Sequence, residues 1–195
     1  MKDSSMQYSA KDKATMRKEF SALRKNAKST EKDRLIVKRI LSDERILNAD
    51  IILMYASFGS EVDTWEIAEN LLKCEKTLAF PLCHEKGIMT FHIVSSLTQL
   101  TEGNYGIREP KPSLPCPDIT SDSVCIVPGR AFTVSGGRLG YGGGFYDRFI
   151  SEHQEIYTIA LTYEVCITNS LPIMQHDIKV NAIASEERMV FCNDR

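Results

Sequence analysis

The run IVPGRAFTVSGGRLGYGGGFYDRFI, residues 126–150, decides the fold class. Its first residues are apolar, as a buried strand requires. Glycines follow, and FYDRFI then opens a helix. Six of the 11 glycines in the chain (Gly136, Gly137, Gly140, Gly142, Gly143 and Gly144) fall within nine consecutive positions. A strand feeding a helix through a glycine loop presents backbone N–H groups and a helix N-terminus to an anion. Glycine lets the chain approach phosphate oxygens closely and take positive φ. Arg138 and Arg148 add charge, and Asp147 lies one turn beyond Gly143 and Gly144. A carboxylate beside phosphates makes electrostatic sense chiefly with Mg²⁺ between them. Spacing excludes two common phosphate motifs. Gly140 and Gly142 are followed by Phe145 where G-x-G-x-x-G needs glycine, and Gly137 and Gly142 by Gly143 where Walker A needs lysine. A plain strand-to-helix turn stays open on composition, although such a turn needs one or two glycines and not six.

Working outward, strands and helices alternate. Residues 9–28 predict a helix capped by Ser9 and basic on one side (Lys11, Lys13, Arg17, Lys18, Arg24, Lys25, Lys28), with Met16, Phe20, Leu23 and Ala27 as its apolar stripe. A second helix starts at Thr30 in a T-x-x-D box and buries Leu35, Ile36, Ile40 and Leu41. DIILMYA (50–56) is apolar on both faces, as a central parallel strand is. WEIAENLLKC (65–74) is a helix opened by Asp63, with Glu66 three residues on. TLAFPLC, IMTFHIV, SVCIVPG, YTIALTY, NAIASE and RMVFC read as strands, and the proline-bearing residues 98–118 as loop. The pattern predicts an α/β three-layer sandwich around a mostly parallel central sheet. One domain covers 1–195, with 1–8 a flexible tail.

Composition narrows the function class. The chain has 195 residues, 24 Lys plus Arg and 26 Asp plus Glu, giving a formal net charge of −2. With no basic excess, a nucleic-acid backbone binder is not expected. The longest apolar run is too short to span a bilayer. The polar MKDSSMQYSAKDK start lacks the apolar core of a signal peptide, so a cytoplasmic protein with reduced thiols is expected. The six cysteines contain no C-x-x-C pair. Only His84 neighbours one (Cys83), so they read as core thiols and not zinc ligands. The expected partners are small molecules, with no nucleic acid or membrane, and the expected state is a monomer.

The glycine segment also supports a specific resemblance. PGRAFTVSGGRLGYGGGFYDR resembles the signature of the 5-formyltetrahydrofolate cyclo-ligase family, P-G-x-x-F-D-x-x-G-x-R-L-G-x-G-x-G-Y-Y-D. Thr133 stands for the usual Asp and Phe145 for the first Tyr. KATMR (13–17) is similar to the family's K-x-x-x-R, SEVDT (60–64) to its E-[VI]-[DE]-T, YGIREP (105–110) to its aromatic-G/N-I-x-x-P, and HDIKV (176–180) to its D-x-x-V. Five motifs occur in the family's order.

The resemblance implies an enzyme that uses MgATP to turn 5-formyltetrahydrofolate into 5,10-methenyltetrahydrofolate, with phosphorylation of the formyl oxygen and attack by N10. It implies catalytic roles for Arg138 and Lys13. ATP would be held by Lys13, Arg17, Arg138, Leu139, Gly140, Tyr141, Gly142, Gly143, Gly144, Phe145 and Tyr146. Folate would meet Ala56, Phe58, Glu61 and Tyr105, and Mg²⁺ would meet Asp147 and Asp177. On the residues alone, Lys13 and Arg17 also fit a solvated helix face, Asp177 a turn or cap, Glu61 a first-turn acid, and Tyr105 a partly buried loop tyrosine. Asn181 departs from the Asp more common in relatives. Two other classes stay open: a non-catalytic nucleotide or pterin binder, and a sugar-phosphate isomerase or CoA-transferase type of enzyme. The second would need a carboxylate at the substrate carbonyl and no ATP.

Overall fold

The structure, a computed structural model, describes residues 10–103, 106–172, 174 and 177–192, with side chains from residue 13 onward. The expected 1–8 tail and the Ser9 cap lie outside it. The first helix, α1, runs Ala10–Ala27, followed by α2 (Thr30–Leu41) and a short α3 (Glu44–Asn48). The cap of α2 is Ser29 and not the predicted Thr30, because the Ser29 hydroxyl accepts the Lys32 N–H at 3.2 Å. Strand β1 (Ile51–Leu53) leads to α4 (Trp65–Lys73), β2 (Thr77–Cys83) and β3 (Met89–Val94). Asp63 does open α4, accepting the Trp65 N–H at 2.8 Å.

Beyond these lie β4 (Leu100–Glu102), β5 (Arg108–Pro110), β6 (Ser123–Val127), β7 (Ala131–Thr133), β8 (Arg138–Leu139) and α5 (Phe145–Glu152). The chain then forms β9 (Tyr157–Leu161), β10 (Ile167–Thr168), β11 (Ala182–Ala184) and β12 (Met189–Phe191).

The main sheet has seven strands in the order β12-β11-β9-β6-β1-β2-β3. The five inner strands are parallel, and β3 and β12 pair antiparallel at the edges. Alternation along β1 builds two cores. Ile52 joins Ile36, Ile40, Ile67 and Leu71 beneath α2 and α4, while Leu53 joins Phe132, Phe149 and Ile150 on the α5 face. Each such aliphatic burial contributes about 1.5–3 kcal/mol. The α/β layering with a mostly parallel sheet therefore holds.

Several local expectations differ. The 98–118 loop contains the β4–β5 antiparallel ladder. The glycine segment does not run directly from strand to helix. It first makes the β7–β8 hairpin, which joins β10 in a small second sheet. On α1, Leu23 is 45% exposed and Arg24 only 5%. The inward face runs Lys13, Arg17, Phe20, Arg24, Ala27, the true 3.6-residue repeat. Leu35 is likewise exposed, one position before the buried Ile36, Val37 and Ile40.

None of the six cysteines forms a disulfide, but only Cys125 and Cys166 are core thiols. Cys83 and Cys192 are half-buried, and Cys74 and Cys116 are exposed, because their residues end elements or lie in loops. Burial, together with Glu109, pushes the Cys83 thiol up to about 11, so it stays protonated. Among the described residues no helix is long and apolar enough to cross a membrane.

Candidate active site

The chain leaves β8 into residues 140–144, the part of the glycine run that remains a loop, and enters α5 at Gly144. Helix α1 lies against this loop. Arg17 donates from Nε to the Gly140 carbonyl at 2.9 Å, fixing the loop from outside. Four residues earlier on the same face, Lys13 pairs with Asp177 at 2.5 Å. Asp177 also accepts the Met174 N–H at 2.7 Å. Arg138 is 7% exposed and is fixed twice, to the Pro128 carbonyl at 3.1 Å and to Asp147 at 2.8 Å. Asp147 in turn accepts the Ile178 N–H at 3.3 Å. Lys13, Arg17, Arg138, Asp147 and Asp177 therefore meet in one place, from four separate parts of the sequence. Arg148 is used differently: it donates to Gly87 O at 2.9 Å and to Gly143 O, clasping the loop from its far side.

The Asp147–Ile178 contact brings the two carboxylates to neighbouring positions. They are hard oxygen donors, each now balanced by one cation. The described residues contain no group of three or more His, Cys, Asp or Glu suited to a metal. This two-carboxylate set does not make an all-protein cage. It fits Mg²⁺, which is commonly bound by one or two carboxylates with substrate phosphates and water completing its shell.

The folate-side candidates gather around Glu61, which is 4% exposed. Its carboxylate accepts the Phe58 N–H at 3.0 Å and the Tyr141 hydroxyl, and lies 3.9 Å from Arg24. Arg24 donates from one Nη to Tyr141 Oη (2.6 Å) and to Gly129 O (3.1 Å), and from Nε to Ser60 Oγ (3.1 Å). Arg130 stacks on the Tyr141 ring, 4.5 Å from its centroid. Burial raises the Glu61 carboxyl above its ordinary value. The Tyr141 hydroxyl, the Phe58 N–H, Arg24 and Arg130 work against that shift. Burial, then the Glu61 charge, drives the Tyr141 phenol well above its ordinary range, so Tyr141 remains a protonated donor.

Phe58 is 40% exposed, with its ring 6.2 Å from that of Tyr141, and is free to take an apolar surface. Ala56 is buried in the core under α2 and α4, and Leu139 packs with Phe20, Ala131, Cys166 and Leu171. Leu139 lies in β8 and Ala56 three residues beyond the end of β1, and both side chains are buried. Phe145 and Tyr146 start α5 against the core, and the buried Tyr146 hydroxyl has no hydrogen-bond partner among the described residues. Tyr105 lies outside the described residues.

Two site residues, Arg24 and Arg130, escape a sequence reading. Arg24 is hidden within a helix rich in cations, although its spacing of seven from Arg17 continues the K-x-x-x-R face. Arg130 carries no such signal.

The family model described as "5-formyltetrahydrofolate cyclo-ligase family" matches residues 9–186. The chain belongs to the 5-formyltetrahydrofolate cyclo-ligase family. It is 28% identical over 158 residues to the 5-formyltetrahydrofolate cyclo-ligase of Escherichia coli K12, covering 77% of this chain and 86% of that one. It is 29% identical over 162 residues to the cyclo-ligase of Saccharomyces cerevisiae, covering 70% and 75%. The solution structure of Aquifex aeolicus 5,10-methenyltetrahydrofolate synthetase superposes with a TM-score of 0.79 at 27% identity over 94% of both chains. A Mycoplasma pneumoniae synthetase, 18% identical with a TM-score of 0.67 over 90% of this chain and 99% of that one, shares the fold. In this cyclo-ligase family member, the Tyr141 hydroxyl joins the glycine loop to the Glu61 cluster.

Proposed function

We propose that the protein converts 5-formyltetrahydrofolate and ATP to 5,10-methenyltetrahydrofolate, ADP and phosphate. Family membership supports the general reaction. The single geometric observation that carries the finer reading is the joining of Glu61 to Tyr141. A carboxylate suited to the N–H donors of a pterin touches the loop suited to phosphates, so the two substrates meet end to end.

The formyl group on N5 is amide-like, and its oxygen leaves poorly as hydroxide. Transfer of the γ-phosphoryl group to that oxygen breaks its bond to ADP and makes phosphate the leaving group. N10 then attacks the formyl carbon, the C–O bond breaks, phosphate departs, and N10 loses its proton. Such chemistry asks for positioning and charge neutralisation more than for a covalent nucleophile. Arg17 with its guanidinium and residues 140–144 with their backbone N–H groups hold the triphosphate. Lys13 and Arg138 neutralise charge as it shifts toward the bridging oxygen. Both are buried or nearly so, and each is already aimed by a carboxylate. Asp147 and Asp177 would hold Mg²⁺, which when bound screens the phosphate charge. Glu61 and Phe58 orient the pterin by hydrogen bonding and apolar contact.

Purified protein given 5-formyltetrahydrofolate and MgATP is expected to form product, seen as the rising near-UV absorbance of the methenyl compound. Absence of any ATP-dependent product at micromolar enzyme, with folate still bound in calorimetry, would instead point to the non-catalytic binder. Asp147→Asn is expected to lose on the order of tenfold in activity at limiting Mg²⁺, as about 1.4 kcal/mol gives, and clearly less at saturating Mg²⁺. An equal loss at both concentrations would remove Asp147 from the metal site.

A further inference from the structure

The buried face of α1 carries Arg24, a cation with no role in the phosphate chemistry above. It sits between two parts of the site that belong to different substrates. From one side chain it reaches Ser60 and Glu61 in the loop after β1, Gly129 after β6, and Tyr141 in the glycine loop. Only a planar guanidinium serves so many acceptors in fixed directions, whereas a lysine presents a single point charge. At 5% exposure it is also the most buried cation of α1 among the described residues. Nothing in general folding physics requires a charge there. A leucine at this helix position would bury apolar surface without desolvating a charge.

We infer that Arg24 is a positioning residue of the folate site, holding Glu61 and Tyr141 in one fixed relation so that the carboxylate that receives the pterin is registered to the nucleotide loop. This rests on the reading that Glu61 receives the folate. Tyr141 is then a folate-side residue as well as part of the glycine loop. Its hydroxyl accepts from Arg24 and donates to Glu61, so it transmits the position of one to the other.

The charges that face Glu61 are Arg24 from α1, Arg130 from the turn after β6 and, on the Glu61 carbonyl, Lys28 at 2.6 Å. The phenols facing it are Tyr55 beyond β1, Tyr141, and Tyr146 at the start of α5. Arg24 is the guanidinium within ion-pair distance of the carboxylate, so its loss favours the protonated acid. The sign follows directly: without Arg24, Glu61 takes up its proton at higher pH, and folate binding weakens from the acid side at higher pH than in the parent.

Three proteins decide the matter: the parent, Arg24→Met and Tyr141→Phe, the last removing one hydroxyl and leaving the ring stack. Calorimetric titration with 5-formyltetrahydrofolate, which needs no turnover, is run alongside steady-state kinetics between pH 5.5 and 8. Arg24→Met is expected to weaken folate binding and raise the folate KM about tenfold or more. Its ATP KM should stay within about twofold, and the acid limb of kcat/KM for folate should move to higher pH. Tyr141→Phe is expected to weaken folate binding by a smaller factor, about threefold, and this arm stands if Arg24→Met fails to fold. Equal losses toward folate and ATP, or an unmoved acid limb, would reduce Arg24 to a structural residue and overturn the inference. Unchanged folate binding in Tyr141→Phe would do the same. A parent that binds folate but does not turn over sinks the proposed reaction while leaving the positioning role to the calorimetry. A parent that binds no folate sinks both.

Discussion

Burial opposes the charge on Glu61, and the four groups around it only partly offset that opposition. With a native pKa above its unfolded value, the native state holds the proton more tightly. Stability therefore falls as pH rises from the ordinary carboxylate range through the raised native value, and the full cost is present above it. Glu61→Gln is accordingly expected to raise the melting temperature at pH 7 by about 2–4 °C, the change that about 1 kcal/mol produces in a chain of this size. The gain should vanish near pH 4. The same variant should raise the folate KM and leave ATP binding nearly intact, so stability and function move in opposite directions at one residue. Thermal unfolding at the two pH values checks the first half, and a melting temperature that does not rise at pH 7 refutes it. The place of Glu61 was legible in SEVDT, because a motif marks it. Arg24 was not legible, because a buried arginine and a solvated one look alike in a helix that carries six cations. Only the register of the helix separates them: an apolar stripe drawn through Leu23 is off by one residue from the face through Arg24.

The glycines illustrate the same lesson at the level of an element. Their clustering suggested a single cradle, but hairpin and loop divide them. Gly136 turns the β7–β8 hairpin at φ +86°, and a Cβ there would run into the backbone carbonyl of Val180. Gly142 lies in the loop at φ +106°, with no atom nearer than 3.5 Å to an added Cβ, the nearest being the Arg17 guanidinium carbon. The two alanine variants should therefore fail differently. Gly136→Ala should cost about 1–3 kcal/mol in urea unfolding, as strained non-glycine backbone does, with the ATP KM within about twofold of the parent. Gly142→Ala sits on an exposed loop that can relax, and should raise the ATP KM about tenfold with a smaller loss of stability. A reversed ranking would place the phosphate cradle in the hairpin instead. The sequence marked the long strands and helices well, since β2, α4 and β9 each carry a clear hydrophobic period. It missed β7, β8 and β10 because strands of two or three residues are too short to show one. It missed the β4–β5 ladder because prolines and glycines around it read as loop.

Across the whole molecule, the site is assembled from segments that the sheet topology brings together late. Strand β1 lies between β2 and β6, so Ile51 faces Thr77 on one side and Ser123 on the other. Pairings of that span slow folding, because a long loop must close before they contribute. Ligand should accordingly stabilise distant segments as a unit. On addition of MgATP, amide exchange is expected to slow together in residues 13–20, 140–147 and 177–180, and to change little in α4. Mass spectrometry of exchanged peptides reads this directly, and slowing confined to 140–147 would mean that α1 takes no part in nucleotide binding. The Lys13–Asp177 pair has a further meaning when the chain is considered as it is made. The two residues are 164 positions apart, roughly ten to thirty seconds at ribosomal rates of about 5–20 residues per second. For most of that interval α1 is complete but has neither the Gly140 carbonyl nor the Asp177 carboxylate to dock on, and the carboxylate comes last. Its cationic face is open to any polyanion nearby, including the ribosome's own RNA. On the proposed function, a nucleotide would find Lys13 paired with Asp177 and Arg17 with Gly140 only once nearly the entire chain has arrived.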